Sequence, residues 1–268
     1  MKINISKKLP SKKRSKISKE PKSTVYGPVF SWRLGRSLGI NMLHGDTKTC
    51  NFNCIYCQLG DSTNLQIERQ EFVSIAKLSD DIKAFGEVDA DWVTFSGMGE
   101  PTLATNLGDA IKMVKSFLDL PVAIITNGSL ITHENVRKDL ALADMVIAKL
   151  DAPDESLFKA INRPSEKVIF RDMIQGWRTF RTEYKGKLAL SLMLCDMNKR
   201  KAHELRLFVK YLMPDQVQLN TPLRPSDVEP LTADAIENIH KSWFMQEKNV
   251  ITVYESENME VTSLNKNE

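Results

Sequence analysis

Strand-like and helix-like stretches alternate along most of this chain with short connections between them, and that alternation limits the fold more than any other feature. Short apolar runs centred near Gly39, Val93, Ile124, Val146, Leu192 and Gln218 read as six strands. Between them lie stretches with apolar residues at helical spacing. These are Ser74–Phe85 (Ile75, Leu78, Ile82, Phe85), Leu107–Leu118, Glu134–Leu142, Lys167–Tyr184 (Phe170, Met173, Ile174, Trp177, Phe180) and Ala202–Leu212. Such a succession predicts an α/β fold: a parallel sheet with helices outside it, linked by right-handed crossovers. Six strands are too few to close an eight-stranded barrel. Beyond Thr232 the chain predicts one more helix (Ile236, Ile239, Trp243, Phe244) and a strand-like piece at Val250–Tyr254.

In parallel βα folds the residues that bind ligands collect at the C-terminal ends of the strands. The candidates are therefore the stretch after the first strand, then Ser96-Gly97-Met98-Gly99-Glu100-Pro101, Thr126-Asn127-Gly128, Lys149-Leu150-Asp151, Cys195-Asp196-Met197-Asn198 and Asn220-Thr221-Pro222-Leu223-Arg224. The stretch after the first strand holds Cys50, Cys54 and Cys57, three of the chain's 4 cysteines. Closely spaced thiolates converge on a soft centre, zinc or an iron–sulfur cluster. A structural zinc site takes four ligands, usually as two pairs. No second pair is present, and Cys195 stands alone, best placed as a small buried hydrophobe. Three thiolates without a fourth suit a cubane cluster with one iron left open. Gly97 and Gly99 permit close backbone approach to a ligand, and Glu100 adds a carboxylate. Arg163 and Arg224 each precede a proline, which predicts extended backbone. Either guanidinium suits a carboxylate or phosphate at the mouth of the fold, or else a helix-capping salt bridge. His44, His133, His203 and His240 are scattered without metal-ligand spacing.

The spacing of Cys50, Cys54 and Cys57, with the aromatic Tyr56 before the third, resembles the signature of the radical S-adenosylmethionine (SAM) superfamily. Tyr26-Gly27-Pro28-Val29, Arg33-Leu34-Gly35, Ser37-Leu38-Gly39, Lys48-Thr49-Cys50 and Tyr56-Cys57-Gln58-Leu59-Gly60 are similar to its wyosine-synthase-like Fe–S oxidoreductase subgroup, and the likeness runs from about Tyr26 to Pro225. The resemblance implies a partial (β/α)6 TIM-like barrel of parallel strands. It also implies a 4Fe–4S cluster on Cys50, Cys54 and Cys57 and SAM as a second cofactor. Gly97, Gly99 and Glu100 look like the element that holds SAM's methionine, with the usual Gly-Gly pair spread by Met98. Tyr56, Asn127, Asp151 and Asn198 fall at positions that imply further cofactor contacts. For Asn127 a simple turn is the competing reading, and for Asn198 and Asn220 an ordinary strand-end hydrogen bond. Lys149 stands where Ser is commoner in the family. The implied reaction is reductive SAM cleavage to a 5′-deoxyadenosyl radical, with electrons from a flavodoxin or ferredoxin, on RNA, a peptide or protein, or a small metabolite. The alternative from another class is a non-catalytic iron–sulfur carrier or sensor. With only Cys195 left over, a second cysteine-bound cluster is excluded, which argues against a true wyosine synthase.

The net charge of +3 divides unevenly. Lys2 to Lys22 holds nine Lys or Arg and one acid, leaving 28 basic against 33 acidic residues, or −5, for the rest. Residues 1–24 are expected to form a disordered basic arm, suited to weak contact with a polyanion or simply a solvated tail. The acidic body argues against an RNA substrate. Residues 25–268 are expected to form one radical SAM domain, its core about 37–225 and a helix and strand extension at 226–256. No apolar run approaches the ~18 residues that span a bilayer. The N-terminus does not read as a secretory signal, and the open cluster implies a reducing, cytoplasmic setting.

Overall fold

The computed structural model describes residues 23–43, 47–61 and 65–255. The expected disordered arm therefore falls almost wholly outside the described residues. Thr24, at its edge, belongs to the fold: its N–H and hydroxyl both donate to Asp81 Oδ2 at 2.8 Å.

One curled sheet carries the structure. Its strands run in chain order: β1 (Val25–Ser31), β2 (Gly35–Ile40), β3 (Trp92–Phe95), β4 (Val122–Thr126), β5 (Met145–Lys149), β6 (Lys187–Met193), β7 (Gln216–Asn220) and β8 (Val250–Thr252). From β2 to β8 every pairing is parallel. The six expected strands are β2 to β7, so the partial barrel is as the sequence implied. The expected strand-like piece near the C-terminus is β8, which extends the parallel sheet beside β7. The addition is β1, an antiparallel partner of β2 at the sheet edge. Pro28 sits in it, where a missing N–H costs no central ladder bond.

Among the described residues seven helices flank the sheet: α1 (Ile75–Phe85), α2 (Leu107–Phe117), α3 (Glu134–Leu140), α4 (Glu155–Asn162), α5 (Phe170–Glu183), α6 (Ala202–Leu212) and α7 (Ala233–Ile239), the last running into a π turn at His240–Phe244. Side-chain caps start three of them: Ser74, Asp154 and Thr232 accept from the backbone N–H groups of Lys77, Leu157 and Ala235. Strand side chains alternate between two cores. Val122, Ile124, Val146, Leu188 and Leu190 pack against the helices with Leu78, Ile111, Trp177 and Phe180. Ala123, Met145, Ile147 and Ala189 face the barrel interior, where Leu34 joins them. The β1–β2 turn, Trp32 to Leu34, is thus folded into the floor of the barrel. Arg33 reaches across it: Nε donates to Gln218 Oε1 of β7 at 2.8 Å and Nη2 to Ser191 Oγ of β6 at 3.5 Å.

The α4 helix corrects one expectation. Arg163 is not extended; it is left-handed at φ 43° and ψ 59°, the C-cap of α4. A helix end with four unpaired carbonyls calls for such a cap, and that requirement overrides the local preference set by Pro164. Its guanidinium is about half exposed and lies 4.0 Å from Asp61.

Candidate active site

The segment after β2 carries the cysteines, and backbone hydrogen bonds hold it on two sides. On one side Thr49 forms a parallel bridge with Gly99, the turn after β3. Its N–H donates to Met98 O at 2.8 Å, and Glu100 N–H donates to Thr49 O at 3.0 Å. On the other side the loop uses the carbonyls that α4 leaves free. Asn53 N–H reaches Asn162 O (3.1 Å) and Arg163 O (3.0 Å), and Ile55 N–H reaches Ile161 O (2.9 Å). Ser165 N–H donates to Asn51 O at 2.9 Å.

The three thiols open into a cavity of about 380 Å³ at the C-terminal ends of the strands, whose wall also holds Tyr56, Gly97, Gly99, Glu100 and Asn127. Of the six strand-end candidates, those after β2, β3 and β4 line this cavity, as do Lys149 at the end of β5 and Asn220 to Arg224 at the end of β7. Asp151 and Asn198 stand behind this wall. Asp151, 3% exposed, accepts from the Tyr56 hydroxyl, from Asn162 Nδ2 at 2.7 Å and from Met193 N–H at 2.9 Å. Asn198, 0% exposed, donates to the carbonyls of Asp151 and Met193 at 2.8 Å and accepts from Cys195 N–H. Its amide hydrogens are committed to joining the ends of β5 and β6. Cys195 is fully buried, packed with Tyr56 and Ile161.

Glu100 is 2% exposed, and its carboxylate accepts four hydrogen bonds. Thr102 N–H (3.0 Å), Thr102 Oγ1 (2.6 Å) and Thr126 Oγ1 (2.7 Å) donate to Oε1, and Asn127 N–H (2.7 Å) to Oε2. Burial pushes its pKa up while those donors pull it down. Two glycines keep the cavity open beside it. A Cβ on Gly97 would come within 2.9 Å of the Asn41 side chain, and one on Gly99 within 1.6 Å of Thr49 O.

Two amides turn toward sulfur. Asn127 Nδ2 lies 3.7 Å from Cys50 Sγ while donating to Asn51 Oδ1 at 2.8 Å; Asn162 Nδ2 lies 3.5 Å from Cys54 Sγ. Asn51, Asn162 and Thr102 had no signal in the sequence, because each acts through a partner brought in by the fold; Thr126 stood among the strand-end candidates, and the structure adds its bond to Glu100. Burial pushes the Cys50 thiol up to about 12 and the Cys54 thiol up to about 11. Thiols so placed stay protonated until a metal centre takes the thiolate. Three converging sulfurs with amide donors beside two of them, next to a glycine-lined space and a buried carboxylate, fit a cluster and a ligand with a cationic amino group.

Comparison with known proteins agrees. The profile of the radical SAM superfamily matches residues 46–208, well over half the chain. The chain belongs to the radical SAM superfamily. It is accordingly an enzyme of SAM-cleaving radical chemistry, with a 4Fe–4S cluster and SAM as cofactors. A UPF0026 protein of Methanocaldococcus jannaschii is 39% identical over 223 residues, covering 81% of this chain and 68% of that protein. A Brachyspira hyodysenteriae protein called GTPase Obg is 38% identical over 230 residues, covering 84% of this chain but only 34% of its own length. Among solved structures, TYW1 with a lysine-pyruvate adduct bound superposes with a TM-score of 0.62 at 18% identity, covering 78% of this chain and 74% of that one. That likeness is one of fold. Among the described residues no helix is long and apolar enough to cross a membrane.

An amide donor on a cluster sulfur stabilises the reduced, more negative state. Asn162→Leu removes the donor 3.5 Å from Cys54 Sγ. A loss of about 1 kcal/mol of differential stabilisation corresponds to roughly 40 mV for one electron. The cluster of this variant is expected to titrate more negative by about that amount in an EPR-monitored redox titration. An unchanged potential would show that the amide serves only to position Asp151 and Tyr56.

Proposed function

We propose that Cys50, Cys54 and Cys57 hold one 4Fe–4S cluster, and that Gly97, Gly99 and Glu100 seat the methionine end of SAM beside it, with Tyr56 and Asn127 in the same wall. Asp151 and Asn198 then act one step back, fixing Tyr56 and the ends of β5 and β6. The observation that carries this reading is the paired attachment of the two loops. The Thr49–Gly99 bridge sets the cysteines and the Gly97–Glu100 turn side by side on one cavity. The chemistry supplied when both cofactors are bound is reductive cleavage of the sulfonium to methionine and a 5′-deoxyadenosyl radical that takes a hydrogen atom from a substrate. The chain's own residues orient the cofactor, hold a carboxylate for its amino group and keep water from the cavity. A flavodoxin or ferredoxin is the expected electron source.

Glu100 provides the test. In Glu100→Ala the counter-charge for the amino group is gone, and a charge-assisted hydrogen bond is worth about 1.5–3 kcal/mol. Equilibrium dialysis of the reconstituted variant is expected to show SAM binding weakened roughly ten- to a hundredfold. Iron content should match that of the wild type. Equal SAM affinity in the two proteins would overturn the assignment.

A further inference from the structure

The same cavity is also lined by cations. Among the described residues its wall contains Arg33, Lys48, Lys149 and Arg224, and a single acid, Glu100. The two lysines are accounted for. Lys48 Nζ donates to Asn53 Oδ1 at 3.0 Å and to Gly60 O at 3.1 Å, and Lys149 Nζ lies 3.8 Å from Asp151. Among the described residues the two arginines have only neutral hydrogen-bond partners. Arg33 donates to Gln218 and Ser191 and lies with Cζ 4.2 Å from the centroid of the Trp32 ring. Arg224 Nη1 donates to Gln58 Oε1 at 2.7 Å. Among the described residues neither forms an ion pair with a carboxylate. Burial, and then the nearby Arg224 charge, pull Arg33 down to about 9. Two guanidiniums gathered in one cavity with no acid between them leave a deficit that an incoming anion corrects.

The deficit reaches across the cavity, from β6 and β7 to the cysteine loop. Cys50 to Cys57, Gly97 to Glu100 and Asn127 follow β2, β3 and β4. Arg33 is bonded to β6 and β7, whereas Arg224 follows β7 and is bonded to Gln58, the residue after Cys57. We propose that Arg33 and Arg224 together seat an oxyanion of the substrate, a carboxylate or phosphate group. The proposal rests on the reading of this cavity as the place where SAM is cleaved. A planar guanidinium offers two parallel N–H donors, which match a carboxylate or phosphate edge to edge. The substrate class is therefore an anionic molecule whose charged group lies between Arg33 and Arg224 and whose reacting carbon lies toward the cluster.

The experiment is equilibrium dialysis of cluster-loaded, full-length protein with radiolabelled inorganic phosphate and, separately, radiolabelled succinate, with and without SAM. At least one probe is expected to bind saturably, near one per chain, and to stay bound when SAM is added. Phosphate alone marks a phosphorylated substrate; succinate alone marks a carboxylate. Arg33→Met should weaken the probe at least tenfold, and Arg33→Lys, which restores the charge, should recover part of the loss. Should Arg33→Met fail to fold, Arg224→Met is put through the same comparison with the same expected loss. The proposal falls if neither probe binds the wild type, or if the Met variant binds as the wild type does. It also falls if SAM displaces the probe one for one, since the cations would then serve SAM's own carboxylate. A wild-type protein that holds phosphate but retains no SAM would instead sink the reading of the cavity.

Discussion

Anaerobically reconstituted wild-type protein is expected to carry about four irons per chain, and Cys50→Ala, Cys54→Ala and Cys57→Ala are each expected to drop below about one. Cys195→Ala should keep the full complement. The contrast follows from placement: three thiols open on the cavity, while the fourth is sealed beside Tyr56 and Ile161. Far-UV circular dichroism should be the same for all four variants, because the cysteine loop is held by backbone bonds that a Cys→Ala replacement leaves in place. Iron and sulfide analysis with the visible absorption of the cluster reads the result. A cluster that survives Cys54→Ala, or zinc bound tightly in the native protein, would remove the assignment.

Replacing Gly99 by Ala is expected to cost about 2–4 kcal/mol of stability and to lower iron content with it. The new Cβ would lie 1.6 Å from Thr49 O and 2.4 Å from Thr49 C. Both are backbone atoms of the residue before Cys50, and neither can swing aside as a flexible side-chain tip does. The bridge between the two loops must open, and Cys50, the first of the proposed cluster ligands, moves with it. Gly60→Ala is the control. Gly60 has φ +74° but nothing within 4 Å of its Cβ position, so only the left-handed backbone is penalised, by about 1–2 kcal/mol. Thermal unfolding and iron analysis of the pair separate the two costs. Equal loss in both variants would mean that the Thr49–Gly99 contact is not what holds the cysteines in place.

Local features of the site were legible in the sequence and long-range ones were not. The cysteine spacing and the Gly97–Glu100 turn are written in consecutive residues, and the βα period located β2 to β7. The α4 helix is only eight residues long, too short for apolar periodicity to register, and just Asp154 marks its start. Yet its free carbonyls hold the cysteine loop. Asn162 meets Cys54 across 108 residues and Asn51 meets Ser129 across 78, contacts that spacing cannot reveal. Arg33 was hidden for another reason. A charged residue in a turn reads as solvent-facing, whereas this turn folds back under the barrel, with Leu34 packed among Ala123, Met145, Ile147 and Ala189. The neutral polar residues that receive Arg33, Ser191 and Gln218, look like ordinary breaks in an apolar strand.

The double fastening of the cysteine loop, to the Gly99 turn on one side and to the end of α4 on the other, bears on how the protein is loaded. In a zinc finger the metal must meet the ordering entropy of the chain it folds. Here the backbone bonds that order the loop run to the barrel and use no thiol, so a chain stripped of its cluster is expected to keep its far-UV circular dichroism. A scaffold or carrier that delivers a preassembled cluster meets a loop whose backbone is fixed, and insertion becomes ligand exchange at three sulfurs. Loss of the cluster to oxygen, by the same reasoning, leaves a folded chain that can be filled again.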